Sequence, residues 1–283
     1  MKQKIYPTAL TIAGSDSGGG AGIQADLKTF SSLGVYGASV ITAITAQNTL
    51  GVQAVHPVPA DIIKAQCEAV CSDLNIHVIK LGMLHSPATV EIVAEIIQKY
   101  QIPYVITDPV MVATSGDPLI LDETVRKMES LLFPLTTLLT PNTHEAARFT
   151  GIDIQSIEDQ SCAGEILLQK GCQAVLMKGG HLADGTKTDL FITPSQSPLH
   201  LTAPTIDTFN THGTGCTLSS AIAAYLALGY TLKEAVTAAK TYITEALKAG
   251  SDIHVGDGHG PVNHFFNPYI LHPIRTHYAD ISK

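Results

Sequence analysis

Short apolar runs alternate along the chain with stretches whose apolar positions recur at helical spacing. The runs predict strands at residues 8–13, 38–45, 78–83, 104–108, 137–140 and 174–178. Runs that are apolar throughout are typical of strands buried on both faces of a parallel sheet. The stretches 60–74 and 88–99 each carry an apolar stripe along one helix face. This alternation predicts a three-layer α/β domain.

The later part of the chain changes pattern. Residues 188–203 predict a β-hairpin, and residues 214–228 and 232–248 predict two helices, the first rich in small residues. No linker rich in Pro, Gly or Ser divides the chain, and no internal repeat is visible. Residues 1–283 are therefore predicted to form one domain.

Composition narrows the choice of partners and compartment. Apolar residues make up 45% of the 283 residues and charged residues 15%, which suits a large core. The formal charge of −8 argues against nucleic acid or an anionic membrane as a partner. The odd cysteine count of 5, the absence of a signal-peptide pattern in MKQKIYPTAL and the lack of a long apolar run predict a cytoplasmic protein.

A glycine-rich segment, Gly14 to Asp26 (GSDSGGGAGIQAD), directly follows the first predicted strand. It can be a tight turn, or a loop that lets backbone approach a ligand closely. Its Gly20-x-Gly22-x-x-Ala25 spacing also fits a relaxed dinucleotide fingerprint, which needs an acidic residue about 20 positions on. No acidic residue occurs between Asp26 and Asp61. The segment is therefore predicted to be a substrate-site loop.

A second segment, His212 to Ala221 (HGTGCTLSSA), opens a predicted helix. Gly213 and Gly215 would leave the N–H groups of the first turn bare, and these groups together with the helix dipole bind anions. The same field lowers the pKa of a thiol, so Cys216 is a candidate base. The alternative is a small-residue helix start with Cys216 as packing.

A third segment, TPNTHE, also follows a predicted strand. Asn142 and Glu145 have the spacing of a capping box, which needs no function. The same two residues could serve magnesium through water beside a nucleotide. Asp108 ends another predicted strand, and ligands of open α/β sheets bind at that edge, which favours the second interpretation.

Lys178 ends a predicted strand and precedes two glycines, in MKGGH, which suits a phosphate contact or an ordinary strand exit. The sequence contains no G-x-x-x-x-G-K-[ST] motif and none of the protein-kinase signatures. A P-loop enzyme and a protein kinase are therefore excluded.

Taken together, several segments resemble the hydroxymethylpyrimidine/phosphomethylpyrimidine kinase family of thiamine synthesis, within the ribokinase-like superfamily. They run from residue 13 to 266 and are AGSDSGGGAGIQADLKTF, TAITAQNT, KLGML, DPVMVATSGDPL, LTPNTHEA, MKGGH, THGTGCTLSSA and GPVNHFF. The first and seventh are the most specific of these segments.

The resemblance implies a ribokinase-like α/β/α sandwich with a mostly parallel central sheet, and ATP with Mg²⁺. A homodimer is also expected. It implies phosphorylation of 4-amino-5-hydroxymethyl-2-methylpyrimidine to its monophosphate and then its diphosphate. A pyridoxal or pyridoxine kinase of the same superfamily is the nearest alternative. A non-catalytic pyrimidine sensor on the same scaffold is another, although binding alone would not need Asp108, Glu145, Lys178 and Cys216 together.

The resemblance also implies residue roles. Gln47 resembles the residue that binds the pyrimidine ring in this family, because its side-chain amide can both donate and accept hydrogen bonds. The implied pocket wall consists of Gly14, Asp26, Met83 and Val110. The implied catalytic group is Cys216 with the anion hole Gly213, Thr214 and Gly215. The implied nucleotide contacts are Asn142, Lys178, Gly179 and Lys240, and the implied metal ligands are Asp108 and Glu145.

One departure from the family pattern is Thr114, where many members carry lysine on a lid over the phosphates. The loss of this positive charge predicts weaker closure over a doubly charged substrate.

Overall fold

The structure, a computed structural model, describes residues 4–111, 120–179, 186–269 and 274–275, so Thr114 lies outside the described residues. Within these ranges one sheet has nine strands. They are β2 (Thr8–Asp16), β3 (Tyr36–Asn48), β4 (Gly51–Pro57), β5 (Val78–Leu81), β6 (Tyr104–Thr107), β7 (Leu138–Leu139), β8 (Val175–Met177), β9 (Thr186–Ile192) and β10 (Leu199–Pro204). A separate two-stranded sheet pairs β1 (Lys4–Ile5) with β11 (Ile274–Arg275).

The strands of the large sheet lie in the order β10-β9-β8-β7-β6-β5-β2-β3-β4. The six from β3 across to β8 run parallel to their neighbours, while β4, β9 and β10 are antiparallel additions at the two edges. The mostly parallel sheet and the late hairpin are therefore confirmed.

Helices cover both faces of the sheet. The helices are α1 (Gly22–Ser32), α2 (Ala60–Asp73), α3 (Pro87–Lys99), α4 (Asp122–Lys127), α5 (Thr143–Thr150), α6 (Ile157–Gln169), α7 (Thr214–Ala227) and α8 (Leu232–Gly250). One apolar core contains Phe30 of α1, Ile222 of α7 and Ile243 of α8. The other core contains side chains of α2, α3, α5 and α6, including Ile63 and Val93. Two cores on one sheet confirm the three-layer sandwich.

Strand β4 was not predicted from the sequence. Its residues from Gln53 to Pro57 are all exposed, so it lacks the alternation that marks a half-buried strand. It holds its place by antiparallel pairing with β3, from Asn48 opposite Gly51 to Ala43 opposite Pro57. The edge position explains why apolar content did not reveal it.

The parallel strands end at one edge of the sheet, and this edge positions the site. Asp16 is the last residue of β2, and Asp108 and Lys178 directly follow β6 and β8. Asn142 comes three residues after β7 and caps α5. No helix in the described ranges combines the length and apolar character needed to cross a membrane.

Candidate active site

A cavity of about 760 Å³ opens at the carboxyl edge of the sheet. Elements from both halves of the chain enclose it. The residues at one end are Gly14, Asp16, Gln47, Met83 and Val110. The residues at the middle are Asp108, Asn142, Glu145, Lys178 and His212 to Cys216. The residues at the other end are Asp189, Pro204, Lys240, Ile243 and Leu247. The cavity therefore joins most of the predicted site residues.

The first turn of α7 lies at the middle of this cavity. The helix begins after Gly213, which has a φ of 77°, and no described side chain caps it. A Cβ on Gly215 would lie 3.2 Å from Lys178 Nζ and 3.7 Å from Asp108 Oδ2. The Lys178 ammonium thus stands beside the uncapped helix N-terminus, where backbone N–H groups and a positive charge together suit an anion.

Lys178 forms a compact ionic cluster with two carboxylates. Its Nζ lies 2.9 Å from Asp108 Oδ1 and 3.8 Å from Glu145 Oε2. Burial acts to raise the pKa of Asp108, but the charges of Lys178 and Lys80 outweigh it and hold that pKa below its usual range. Ser219 Oγ donates to Asp108 Oδ2 at 3.3 Å. Asp108 is therefore an ionised carboxylate at the base of the anion site.

The capping-box interpretation of Asn142 and Glu145 is confirmed, while their service to magnesium stays a prediction. The capping box is formed, with the backbone N–H of Asn142 donating to Glu145 Oε2 at 2.7 Å and that of Glu145 donating to Asn142 Oδ1 at 2.8 Å. Burial raises the pKa of Glu145 to about 7, with Asp108 adding to the rise and Lys178 opposing it. The cap thus also places a carboxyl group in the cluster.

The cluster fits a magnesium ion that is held largely by phosphate and water. Mg²⁺ typically takes one or two protein carboxylates and keeps several waters beside substrate phosphates. Asp108 and Glu145 both approach Lys178 and both line the cavity. Among the described residues, no group of three or more His, Cys, Asp or Glu side chains could enclose a metal by itself. The donor set therefore suits a metal that arrives with a phosphate ligand.

The glycine-rich loop closes on the anion site through Asp16 and His212. Asp16 Oδ2 lies 2.8 Å from His212 Nε2 and also accepts from the backbone N–H groups of Gly20 at 3.0 Å and Ala21 at 2.8 Å. A Cβ on Gly20 would overlap the His212 ring. Two loops that are far apart in sequence thus form one wall of the cavity.

Gln47 lies beside this pair at the predicted substrate end. Its Nε2 is 3.4 Å from His212 Nε2 and its Oε1 is 3.1 Å from Thr45 Oγ1. Gly14 and Met83 adjoin, since a Cβ on Gly14 would lie 2.5 Å from Met83 Cε. Together with Val110, these residues form a largely apolar recess with one amide in it.

Asp26 does not lie in the cavity wall, contrary to the role that the resemblance implies. It is fully buried below the cavity, and its oxygens lie 2.9 and 3.0 Å from Lys80 Nζ. Thr11 Oγ1 and Ser220 Oγ also donate to it, each at 2.6 Å. Asp26 therefore supports Lys80, whose side chain is also fully buried, at the inner boundary of the cavity.

The expected lowering of the Cys216 pKa is wrong. Burial raises the pKa of this thiol to about 11, and Asp26 and Asp108 add to the rise. The charge of Lys80 and the N–H of Gly22 oppose it without prevailing. Desolvation is thus the largest influence on this pKa, and the thiol is protonated at neutral pH.

The far end of the cavity holds the remaining predicted contacts. Lys240 Nζ pairs with Asp189 Oδ2 at 2.7 Å, and the backbone N–H of Gly179 donates to Asp189 Oδ1 at 2.9 Å. Gly179 is buried, and its hydrogen bond to Asp189 stabilises the end of β8. Lys240 borders the cavity. Ile243 and Leu247 supply an apolar wall there.

Four residues of this arrangement were missed from the sequence as site residues: Asp16, Lys80, Asp189 and His212. Lys80 carried a usable signal, because a lysine inside the apolar run VIKLGM needs a buried carboxylate partner. Asp16 and His212 were visible within their motifs, but their pairing was not. Asp189 lies in the predicted hairpin with no motif around it.

Comparisons with known proteins agree with this geometry. Residues 16–263 match the family model described as phosphomethylpyrimidine kinase. A hydroxymethylpyrimidine/phosphomethylpyrimidine kinase of Rhizobium meliloti is 52% identical over 258 residues, which is 91% of this chain and 96% of that protein.

Solved structures show the same relationship. A phosphomethylpyrimidine kinase of Clostridium difficile superposes with a TM-score of 0.75 at 48% identity, over 86% of this chain and 100% of that one. A pyridoxal kinase of Bacillus subtilis, solved as an ADP complex, gives 0.85 at 37% identity over 93% and 98%. The ribokinase-like fold and the resemblance drawn from the motifs are confirmed, and the chain belongs to the phosphomethylpyrimidine kinase family.

Proposed function

We propose that this protein uses ATP to phosphorylate 4-amino-5-hydroxymethyl-2-methylpyrimidine and then its monophosphate, in thiamine biosynthesis. The observation that carries the proposal is the position of the Lys178–Asp108 pair, which faces the uncapped first turn of α7 in the middle of a single cavity. A recess with one amide lies on one side of this anion site, and an apolar wall with Lys240 lies on the other.

The acceptor ring occupies the recess formed by Gly14, Gln47, Met83 and Val110. The Gln47 amide supplies one donor and one acceptor, which match the ring nitrogen and the exocyclic amine of an aminopyrimidine. The apolar side chains cover the faces of the ring and exclude water. This placement directs the hydroxymethyl group toward Cys216 and the first turn of α7.

The nucleotide occupies the other end of the cavity. Ile243 and Leu247 face its base and sugar, while Lys240, Lys178 and Asn142 lie along the phosphates. The ADP complex of the related pyridoxal kinase supports an adenine nucleotide as donor. The γ-phosphate then lies between Lys178 and the N–H groups of Gly213 to Cys216.

Phosphoryl transfer depends mainly on positioning and charge stabilisation. In the first step the hydroxymethyl oxygen bonds to the γ-phosphorus, the bond from phosphorus to the β–γ bridging oxygen breaks, ADP leaves, and the hydroxyl proton passes to water. In the second step an oxygen of the monophosphate attacks in the same way and has no proton to lose. Lys178 and the α7 N–H groups stabilise the negative charge of the transferring group in both steps.

Magnesium belongs to the same proposal. Asp108 and Glu145 would hold the ion through water beside the phosphates. When bound, it neutralises phosphate charge during transfer. The cytoplasmic location and the homodimer also remain proposals, and light scattering after size exclusion would test the dimer.

Mass spectrometry of the products tests the function. The protein is incubated with ATP and Mg²⁺ and with the aminopyrimidine alcohol, its monophosphate or pyridoxal, each separately. We expect mono- and diphosphate products from the two pyrimidines, and Lys178→Met serves as the inactive control. A product from pyridoxal alone would support the alternative kinase, and no product from any substrate would support a sensor.

A further inference from the structure

His212 lies between a carboxylate and an amide. Its Nε2 is 2.8 Å from Asp16 Oδ2 and 3.4 Å from Gln47 Nε2. Both His212 and Asp16 are buried, at 6% and 2% exposure. Asp16 and His212 are 196 positions apart in the sequence, so their contact depends on the tertiary fold and not on local structure.

The proton on His212 Nε2 is fixed by Asp16. Burial acts to raise the pKa of Asp16, but hydrogen bonds from His212 and from the backbone of Ala21 outweigh it, and the pKa lies below its ordinary value. An ionised carboxylate only accepts hydrogen bonds. Therefore His212 Nε2 carries a hydrogen and donates it to Asp16, whether the ring is neutral or charged.

A donor at His212 Nε2 cannot receive a hydrogen from the Gln47 amide. The contact with Thr45, on the other side of the amide, is mismatched as well, because two acceptors face each other there. The Thr45 hydroxyl donates to the carbonyl oxygen of Ser15 at 2.8 Å, so its lone pairs are what it offers to Gln47 at 3.1 Å. Turning the amide by a half rotation places its nitrogen toward the lone pairs of Thr45, which is a donor–acceptor pair. The same rotation places its oxygen toward His212, where it shares the single Nε2 hydrogen with Asp16 and no two hydrogens face each other.

We propose that the Asp16–His212 pair and Thr45 fix the orientation of the Gln47 amide and so select a pyrimidine that carries an amine rather than a carbonyl. This inference rests on the proposed function and refines its substrate class. The fixed amide presents its oxygen beside His212 and keeps one N–H for a ring nitrogen. An aminopyrimidine edge has a donor next to an acceptor, which matches this order.

The backbone of Gln47 is also fixed by hydrogen bonds, so a shift of the main chain does not move the side-chain amide away from His212 and Thr45. The Ser17 hydroxyl accepts from the Gln47 N–H at 2.8 Å and donates to the Gln47 carbonyl oxygen at 2.8 Å. The side-chain amide can still rotate, and this rotation is what His212 and Thr45 oppose. His212 and Thr45 are thus positioning residues for Gln47.

The test compares two substrates that differ in this edge alone. The first is the 4-amino alcohol, and the second is its 4-oxo analogue, which has a carbonyl in place of the amine and an N–H at the neighbouring ring nitrogen. The ratio of their kcat/KM values is measured for the wild type, His212→Leu, His212→Gln and Thr45→Val. Thr237→Val, on the exposed face of α8 and outside the cavity, is the matched control for Thr45→Val.

We expect the wild type to prefer the amine, and His212→Leu and Thr45→Val each to reduce this preference by about tenfold or more, because the amide can then turn. His212→Gln, which keeps an N–H donor, should retain part of the preference, and Thr237→Val should retain all of it. If His212→Leu does not fold, the substrate preference of Thr45→Val tests the inference. An unchanged ratio in the folded variants would overturn the inference while the proposed function stands, whereas a wild type inactive on the 4-amino alcohol would overturn both.

Discussion

Gly213 packs so closely on Gly20 that a Cβ on Gly213 would overlap the carbonyl oxygen of Gly20. The backbone of the anion-site turn is thus in direct contact with the backbone of the glycine-rich loop. No side chain can be added at this point without moving one loop away from the other.

Gly215, unlike Gly213, should accept a side chain without loss of the fold. A side chain at Gly215 points toward Lys178 Nζ, the mobile end of a lysine, so Gly215→Val should fold. It should lower kcat/KM by well over tenfold, because it shields N–H groups worth about 2–4 kcal/mol in the transition state. Gly229→Ala is a control for the loss of a glycine, since a Cβ on Gly229 would meet nothing within 4 Å, although its φ of 90° strains any other residue. That control should cost about 1–2 kcal/mol of stability and no activity. Normal turnover in folded Gly215→Val would contradict the anion-site assignment.

Cys216→Ala tests what the thiol does. Because burial raises its pKa to about 11, the thiol is protonated at neutral pH and is a poor base. The alcohol step and the monophosphate step should therefore lose similar factors of kcat/KM, measured with each substrate supplied separately. A loss at least about tenfold greater for the alcohol would restore the general-base role, since only the alcohol has a proton to lose.

Gln47→Leu keeps the side-chain volume but leaves the pyrimidine edge unpaired. We expect the affinity for the aminopyrimidine to fall by about 1–3 kcal/mol, with little change in ATP affinity. Isothermal titration with each ligand separates the two. Weaker ATP binding with unchanged pyrimidine binding would place Gln47 at the wrong end of the cavity.

Asp26→Ala should act on stability rather than on substrate contacts. It would leave the Lys80 ammonium, which has no exposed surface, without its buried partner. Loss of one partner of a buried ion pair typically costs about 3–5 kcal/mol, which urea unfolding would measure. Glu95→Ala is the matched control, because its pair with Lys64 is exposed and should contribute less than about 1 kcal/mol. Equal effects of the two variants would contradict the structural role of Asp26.

Acid should destabilise the fold partly through His264. This buried ring lies 3.0 Å from Thr217 Oγ1, and burial, helped by the charge of Lys28, lowers its pKa to about 4. Because the unfolded pKa is about 6.5, the unfolded chain binds more protons between these values, and stability falls as the pH falls through them. From pH 7 to pH 4.5 the loss from this group should be about 2–3 kcal/mol.

Unfolding by urea at several pH values checks this, with His264→Gln as the comparison. The free energy of unfolding of the variant should depend less on pH than that of the wild type over this range. Parallel curves would show that His264 does not bind its proton differently in the two states.

The sequence predicted best what is local. Continuous apolar runs identified the parallel strands, and the ends of those strands pointed to Asp108 and Lys178 before any contact was known. The capping box of Asn142 and Glu145 depends only on spacing along one turn, so it was visible too. Strand β4 escaped because an exposed edge strand needs no apolar pattern.

What the sequence could not predict depends on distant pairs. Asp26 belongs to a ligand-site motif, yet it turns inward because Lys80 must be paired where no water reaches it. The thiol of Cys216 sits at a helix N-terminus as expected, but its pKa depends on how much water the surrounding layers exclude. Neither the partner of a buried charge nor the extent of desolvation can be read from spacing.

The distance along the chain between Asp16 and His212 has a consequence for synthesis on the ribosome. Lys80 follows Asp26 by 54 positions, so this pair can form early as the chain emerges. His212 follows Asp16 by 196 positions, and closing so large a loop must wait until most of the chain is made. A nascent chain can therefore bring Asp26 and Lys80 together early, but Ser220 of α7 completes the surroundings of this pair only when His212 has also been made. On the role proposed for His212, substrate selectivity arises late in translation.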